Sequence, residues 1–273
     1  MNFLESLLYG CISGITEFLP ISSVAHQQIL QQLLGFEGAS PLLNLFVHIG
    51  LFLAVIVGCG SSIEQLRRGY HAQRYRKRTL KSGSNTLELR FVKNAIIPLL
   101  IVSFVLYQCV NLNGSLAWIA LFSLANCAIM LAESRMMRGN KTEQTVSTLD
   151  SIVVGGAGAL FVLPGISRIS VMLAAATACG IDREKGLNWV ILLSVPALAF
   201  LLVIDILAVF TVNTAVFTGA ILPSVFAGVC AFICGYFSIL LIKTISAHGD
   251  RIGFAFYSLG VALFSLILYL MVV

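Results

Sequence analysis

An all-α protein embedded in the membrane is the fold class this sequence predicts, and three observations predict it. Hydrophobic residues make up 58% of the 273 and charged residues only 11%, which leaves too little polar surface to cover a water-soluble globule. Six apolar stretches, at 43–60, 91–110, 115–133, 187–211, 217–243 and 253–273, are long enough to cross a hydrocarbon core of about 30 Å, a distance that takes about 20 helical residues. Finally, a proline followed by clustered polar side chains interrupts apolar sequence at two further places, and the two interruptions are versions of one motif.

The first copy reads Gly14-Ile-Thr-Glu-Phe-Leu19-Pro20, followed by Ser22, Ser23 and His26; 144 residues later Gly158-Ala-Leu-Phe-Val-Leu163-Pro164 is followed by Ser167, Arg168 and Ser170. Proline removes a backbone donor and breaks the helix, and irregular backbone at membrane depth is tolerated only where it lines a cavity or is buried in protein. The apolar helix behind each break, Val24 to Leu34 and Ile169 to Cys179, is short. At 1.5 Å per residue it spans about 16 Å, too little to recross the bilayer. Segments 3–34 and 151–179 are therefore expected to be re-entrant helical hairpins, each entering and leaving on one side. The opening Met1-Asn-Phe-Leu-Glu5 has no basic region or cleavage site of a secretory signal, so the first hairpin is expected to remain in the mature protein.

Each hairpin is followed by three spans, an odd number, so the second copy must sit upside down relative to the first. The expected architecture is a single transmembrane domain over 1–273: an inverted repeat with repeat 1 at about 1–133 and repeat 2 at about 150–273. Basic residues test this topology. Loops 61–90, 134–150, 180–186 and 244–252 fall on one face, and sixteen of the seventeen Lys and Arg residues lie in or beside them, among them Arg67, Arg68, Arg74, Arg76, Lys77, Arg78 and Lys81. By the positive-inside rule that face is cytoplasmic, 61–90 is a cytoplasmic basic loop, and both termini are external. The basic run reads as a topology and anionic-lipid signal, with no nucleic-acid partner. The seven cysteines lie mostly in apolar segments and read as small core residues.

The seventeenth basic residue is Arg168, directly behind the second break. A charge at bilayer depth costs about 3 kcal/mol on insertion scales and calls for a partner or a ligand. Glu17 holds the mirrored place one turn before Pro20. A Glu17–Arg168 ion pair that only locks the hairpins is one reading; a guanidinium fork clamping phosphate oxygens is the other. The second gains weight from its surroundings. A helix starting at Ser22 or Ser23 aims its free N–H groups at the break, His26 follows about one turn later as a proton-transfer candidate, and Ser167 and Ser170 repeat the hydroxyls in the second copy. Two such helix tips meeting suit a phosphorylated headgroup better than a cation. Beyond the motifs, His48, Asn44 and Asn188 read as interhelical hydrogen-bonding groups or headgroup contacts. Asp205 reads as a relay or as an acid reaching for the external interface, and Gly155-Gly156-Ala-Gly158 as a close-packing stretch.

Gly14-Ile-Thr-Glu-Phe-Leu-Pro-Ile-Ser-Ser-Val-Ala-His26 and Leu163-Pro-Gly-Ile-Ser-Arg168 resemble the two signatures of the bacitracin-resistance undecaprenyl-diphosphatase family, and Leu34-Gly35-Phe36 and the Leu53-Ala-Val run fit it as well. The likeness covers the whole chain. It implies a hydrolase of the bacterial cell membrane that removes the terminal phosphate of undecaprenyl diphosphate, recycling the carrier lipid for cell-wall synthesis, with a divalent cation, Mg²⁺ or Ca²⁺. It also implies catalytic roles for Glu17, Ser23, His26 and Arg168, with Glu17 the metal-linked carboxylate. Ser22, Ser167, Ser170 and Asn44 fall to substrate binding. The attacking group is left open among Ser23, His26 and water. The chain departs from the family pattern at Ser13, where a second glutamate is usual, at Val24-Ala25 before the histidine, at Ile169 and Met172 in the second signature, and at Asn44 and Gly158. A polyprenyl-phosphate translocator and a catalytically silent lipid-binding paralogue are the alternatives on the same fold. The partners expected are the polyprenyl diphosphate lipid and the bilayer, with homo-oligomer formation open.

Overall fold

The structure is a computed structural model and describes residues 2–35, 39–75, 84–109, 115–137, 139–211, 220–248 and 251–272. Of the basic residues named above, Arg76, Lys77, Arg78 and Lys81 lie outside the described residues, as does Phe36. Eleven α-helices carry the described chain, with a single isolated bridge, Lys141 to Ile181, as its only strand-like pairing.

Helices α1 (Phe3–Glu17) and α2 (Ser23–Leu34) flank the first break. A capping box between Asn2 and Glu5 starts α1, the Ser22 side chain caps α2, and Gly35 ends α2 in the left-handed conformation with its N–H on the carbonyl of Gln31. Next come α3 (Pro41–Gly58), α4 (Gly60–Tyr75), α5 (Ser84–Cys109) and α6 (Leu116–Arg135). The second break lies between α7 (Thr148–Gly158), extended by a 3₁₀ turn at Ala159–Val162, and α8 (Arg168–Ala178). The chain finishes with α9 (Arg183–Thr211), α10 (Ile221–His248) and α11 (Ile252–Val272).

Helices α3, α5, α6, α9, α10 and α11 are long and apolar enough to cross a membrane. They correspond to the six apolar stretches of the sequence, so the chain is an all-helical, multi-pass membrane protein. The boundaries move by a few residues, because polar residues at helix ends continue the backbone hydrogen bonding past the apolar run. One expectation is corrected. The first part of the basic segment 61–90 is not a loop but helix α4, where Glu64 pairs with Arg67 and Arg68 one turn on and no proline interrupts the helix.

The order of short helix, break, short helix and long helices occurs twice, and part of the packing is reciprocal. Helix α1 packs along α10 while α7 packs along α5, and α3 meets α9 as α6 meets α11. The same residue type permits both crossings. A Cβ on Gly10 of α1 would lie 2.2 Å from the carbonyl oxygen of Ala227, and one on Gly155 of α7 would lie 2.1 Å from that of Ala95. Only glycine lets backbones approach so closely.

Ion pairs gather where the basic segments lie. Arg251 Nη2 donates to Glu133 Oε1 at 2.5 Å, with both side chains buried and Thr177 donating to the same oxygen. Lys141 pairs with Asp150, Lys185 with Glu143, and Lys243 Nζ donates to the carbonyl of Gly58. These contacts draw segments 134–150, 180–186 and 244–252 together with the end of α3. Outside the membrane-crossing helices, the Lys185 ammonium holds the Glu143 carboxyl below the usual carboxylate range.

Candidate functional site

The two breaks meet, and they exchange hydrogen bonds crosswise. In the first copy the Ser22 hydroxyl caps α2 by accepting from the Ala25 N–H at 3.3 Å, and it accepts a second bond from the Gly165 N–H at 3.0 Å. In the second copy the Ser167 hydroxyl caps α8 by accepting from the Ser170 N–H at 3.4 Å, and it donates to the Leu19 carbonyl at 3.2 Å. Each capping serine thus holds its own helix and the opposite break. The second break holds one more residue than the first between its proline and its cap. That residue is Gly165, with φ 115, a backbone conformation that side chains disfavour. Its Cβ position lies 2.6 Å from the Ser123 backbone nitrogen, so α6 passes directly against this turn.

Asn126 of α6 fastens the seam. Its Nδ2 donates to the Pro20 carbonyl at 3.3 Å and to Ser258 Oγ at 2.9 Å, and its Oδ1 accepts from the Ser167 N–H at 3.0 Å and from Ser170 Oγ. All the hydrogen-bonding capacity of the amide is used. It lies buried between residues of both breaks and of α11.

Behind this seam a cavity of about 200 Å³ opens. Its polar side is formed by Tyr9, Glu17, Ser22, Ser23, Gln27, Asn44, His48, Tyr107, Ser167 and Arg168, and its apolar side by Ile21, Val24, Phe161, Val162, Ile166, Phe200 and Leu201. Arg168 opens α8 and Glu17 closes α1, so the two helix ends bring guanidinium and carboxylate to 2.8 Å through Nη2 and Oε1. The guanidinium is buried, and its Nε and Nη1 have no hydrogen-bond partner in the protein. Its other flank lies 5.8 Å from the Phe161 ring centroid. The guanidinium thus keeps donors unspent beside the cavity that Arg168 lines.

The other residues singled out from the sequence fall into two groups. Ser22, Ser23, Asn44 and Ser167 line the cavity with Glu17 and Arg168. Ser23 Oγ accepts from Gln27 Nε2 at 3.3 Å, and the same amide nitrogen donates to Ser13 Oγ at 2.9 Å, so Gln27 fills the space between those hydroxyls. Asn44 Oδ1 accepts from the Tyr9 hydroxyl at 2.8 Å. His26 and Ser170 do not line the cavity. The imidazole of His26 is held by the Ser22 carbonyl at Nδ1, 2.6 Å, and by the Tyr257 hydroxyl at Nε2, 2.8 Å, which turns it toward α11. Ser170 is buried against Asn126 and the Ser167 carbonyl.

Asn126, Gln27 and Tyr257 escape a reading of the sequence, because a lone polar residue in an apolar or helical run carries no sign of its partner. His48 and Asp205 are visible as unusual residues but not as a pair. In the structure His48 Nδ1 lies 2.5 Å from Asp205 Oδ2, and Asp205 is buried in α9. His48 thus makes the interhelical hydrogen bond expected of it, from α3 to α9, and its partner is Asp205. As to a metal, Glu17 already serves Arg168, and the described residues include no group of three or more His, Cys, Asp and Glu side chains that could hold one. A hard divalent cation wants six or more oxygens, so the residues present do not make a resident site.

The sequence has relatives. The undecaprenyl-diphosphatase of Carboxydothermus hydrogenoformans is 27% identical over 261 residues, covering 94% of each chain. That of Idiomarina loihiensis is 29% identical over 221 residues, covering 79% of this chain and 81% of its own, and that of Treponema denticola is 25% identical over 263 residues, covering 96% of each. The profile of the family described as bacitracin resistance protein BacA matches residues 6–264, from the first helix through the last, and the chain belongs to that family.

Proposed function

We propose that this protein is an integral membrane phosphatase of the bacterial cell membrane that hydrolyses undecaprenyl diphosphate, or a polyprenyl diphosphate of similar chemistry, to the monophosphate and inorganic phosphate. The observation that carries this reading is the Arg168 guanidinium, buried at the cavity wall with Nε and Nη1 unbonded. Unspent guanidinium donors beside the cavity suit phosphate oxygens, which accept such charge-assisted bonds. The names and full-length coverage of the relatives supply the substrate class. The apolar wall of Phe161, Val162, Phe200 and Leu201 gives the first prenyl units a dry surface beside the headgroup.

In this reading Arg168 clamps the diphosphate, Ser23 and Ser22 add hydroxyls, and Asn44 and Ser167 complete the wall. Glu17 balances the guanidinium and orients it. His26 and Ser170 act as positioning residues, the first fixing α2 against α11 and the second fixing α8 against Asn126. Phosphoryl transfer depends on positioning and on neutralising charge as the P–O bond breaks, and the guanidinium with two helix N-termini supplies both. The divalent cation expected from the resemblance fits best as a companion of the diphosphate oxygens, arriving with the substrate.

The architecture proposed with it is the inverted repeat in one domain over 1–273, with the two break regions as re-entrant hairpins, the basic ends cytoplasmic and both termini external. Reciprocal packing of α1 on α10 and of α7 on α5 supports the inversion, and the gathered basic segments support the orientation. Hydrolysis of this lipid would serve carrier recycling for cell-wall synthesis and confer bacitracin resistance.

The test is phosphate release by the purified protein in detergent from undecaprenyl diphosphate with Mg²⁺. Release by the wild type, its loss in Arg168→Ala and its suppression by a chelator are the expected results. Movement of labelled lipid phosphate across a vesicle bilayer without phosphate release would overturn the reading.

A further inference from the structure

We propose that His48, oriented by Asp205, is the general base of the site, its Nε2 taking the proton from the water that attacks the terminal phosphorus. The inference rests on the diphosphate-hydrolysis reading above and adds to it a group that the two break motifs do not contain. His48 stands one turn after Asn44 on the same face of α3, and both line the cavity that holds Glu17 and Arg168. Its Nδ1 is bonded to Asp205 Oδ2 at 2.5 Å. An ionised carboxylate only accepts, so Nδ1 carries the hydrogen, and in the neutral ring Nε2 is the nitrogen left with a lone pair.

The acid of the site, the motif histidine and the two capping serines are already engaged. Glu17 is engaged in its ion pair with Arg168, and a proton taken up there would leave the guanidinium without its counter-charge. His26 uses both ring nitrogens on Ser22 and Tyr257 and faces away. The Ser22 and Ser167 hydroxyls are spent on capping and on the crosswise bonds. His48 makes no second hydrogen bond among the described residues, and it is the histidine that lines the cavity.

The step balances without an outside reagent. As the water oxygen bonds to the terminal phosphorus, the bridging P–O bond breaks, its electron pair leaves on the prenyl monophosphate, and the water proton passes to Nε2. The imidazolium that forms is compensated by the Asp205 carboxylate beside it, and the proton later leaves with phosphate or solvent. Asp205 is thus a positioning residue that fixes the ring and its tautomer.

The experiment measures phosphate release from undecaprenyl diphosphate with Mg²⁺ by the full-length protein in detergent. His48→Gln keeps a donor for Asp205 at similar volume but cannot take the proton, so kcat should fall about 10²-fold or more while KM stays within about threefold. His48→Ala should lose as much and recover about tenfold with added imidazole. Asp205→Asn should lower kcat with KM kept. Full activity in His48→Gln, or a His48→Ala loss that imidazole does not restore while His48→Gln works, would assign His48 to the scaffold and overturn the inference with the phosphatase reading intact. A wild-type protein that releases no phosphate would instead bring down both.

Discussion

Arg168 Nη2 donates to Glu17 Oε1 at 2.8 Å, joining the first residue of α8 to the last residue of α1 across the seam between the two breaks. The pair is asymmetric in its demands. Removing the guanidinium leaves a part-buried carboxylate with no counter-charge, at a cost of up to about 3–5 kcal/mol.

Arg168→Ala should therefore lower the melting temperature in detergent as well as abolish phosphate release. Adding Glu17→Gln should recover much of the lost stability, because it neutralises the orphaned acid, and none of the activity. Thermal unfolding of the two single variants and the double variant checks this, through the coupling that the double-mutant cycle yields.

Asn126→Leu keeps the volume but strands the Pro20 carbonyl and the Ser167 N–H without partners. Buried groups left unpaired cost about 1–3 kcal/mol each. The expected outcome is a lower melting temperature together with a raised KM, since both breaks loosen at once; Asn126→Asp, which keeps only the accepting side, should fall between. Unfolding in detergent and steady-state kinetics measure both effects.

Gly10→Ala and Gly155→Ala place a methyl about one bond length from contact with a backbone oxygen on α10 or α5, at 2.2 and 2.1 Å. Neither helix can yield without separating from its partner, so each variant should lower the yield of monodisperse protein on size-exclusion chromatography. Similar losses in the two variants would reflect the reciprocal packing of α1 and α7.

Ser13 stands where the family pattern has a second acid, and it is buried with the Gln27 amide against it. A glutamate there would collide with Gln27 before it reached the cavity. Ser13→Glu alone should lower the melting temperature without raising turnover, whereas Ser13→Glu with Gln27→Ala should raise phosphate release at a fixed Mg²⁺ concentration. Parallel assays of the two variants decide it.

The sequence disclosed the helices far better than their rotations. Twenty-residue apolar runs announce membrane-crossing helices because lipid demands them, and the break motifs announce themselves because proline and serine so seldom stand together in such runs. The turning of His26 toward Tyr257 was hidden, since helix rotation is set by what α11 presents 231 residues away. The pairing of His48 with Asp205 spans 157 residues and follows no local period. Asn126 looks like any lone polar residue in an apolar helix until its four partners are seen. Helix α4 is hidden by its charge, which marks the face of the membrane and not the backbone, although Glu64 and the arginines after it are spaced for helix.

The crosswise capping carries a consequence for movement. A carrier of the rocking type must let one half of the molecule tilt against the other about its binding site. Here such a tilt would break the bond of each capping serine to the opposite break, Ser22 to Gly165 and Ser167 to Leu19, and it would part Glu17 from Arg168 in the same stroke. The central joint behaves as a weld, not as a hinge, which favours chemistry on a stationary headgroup over passage of that headgroup from leaflet to leaflet.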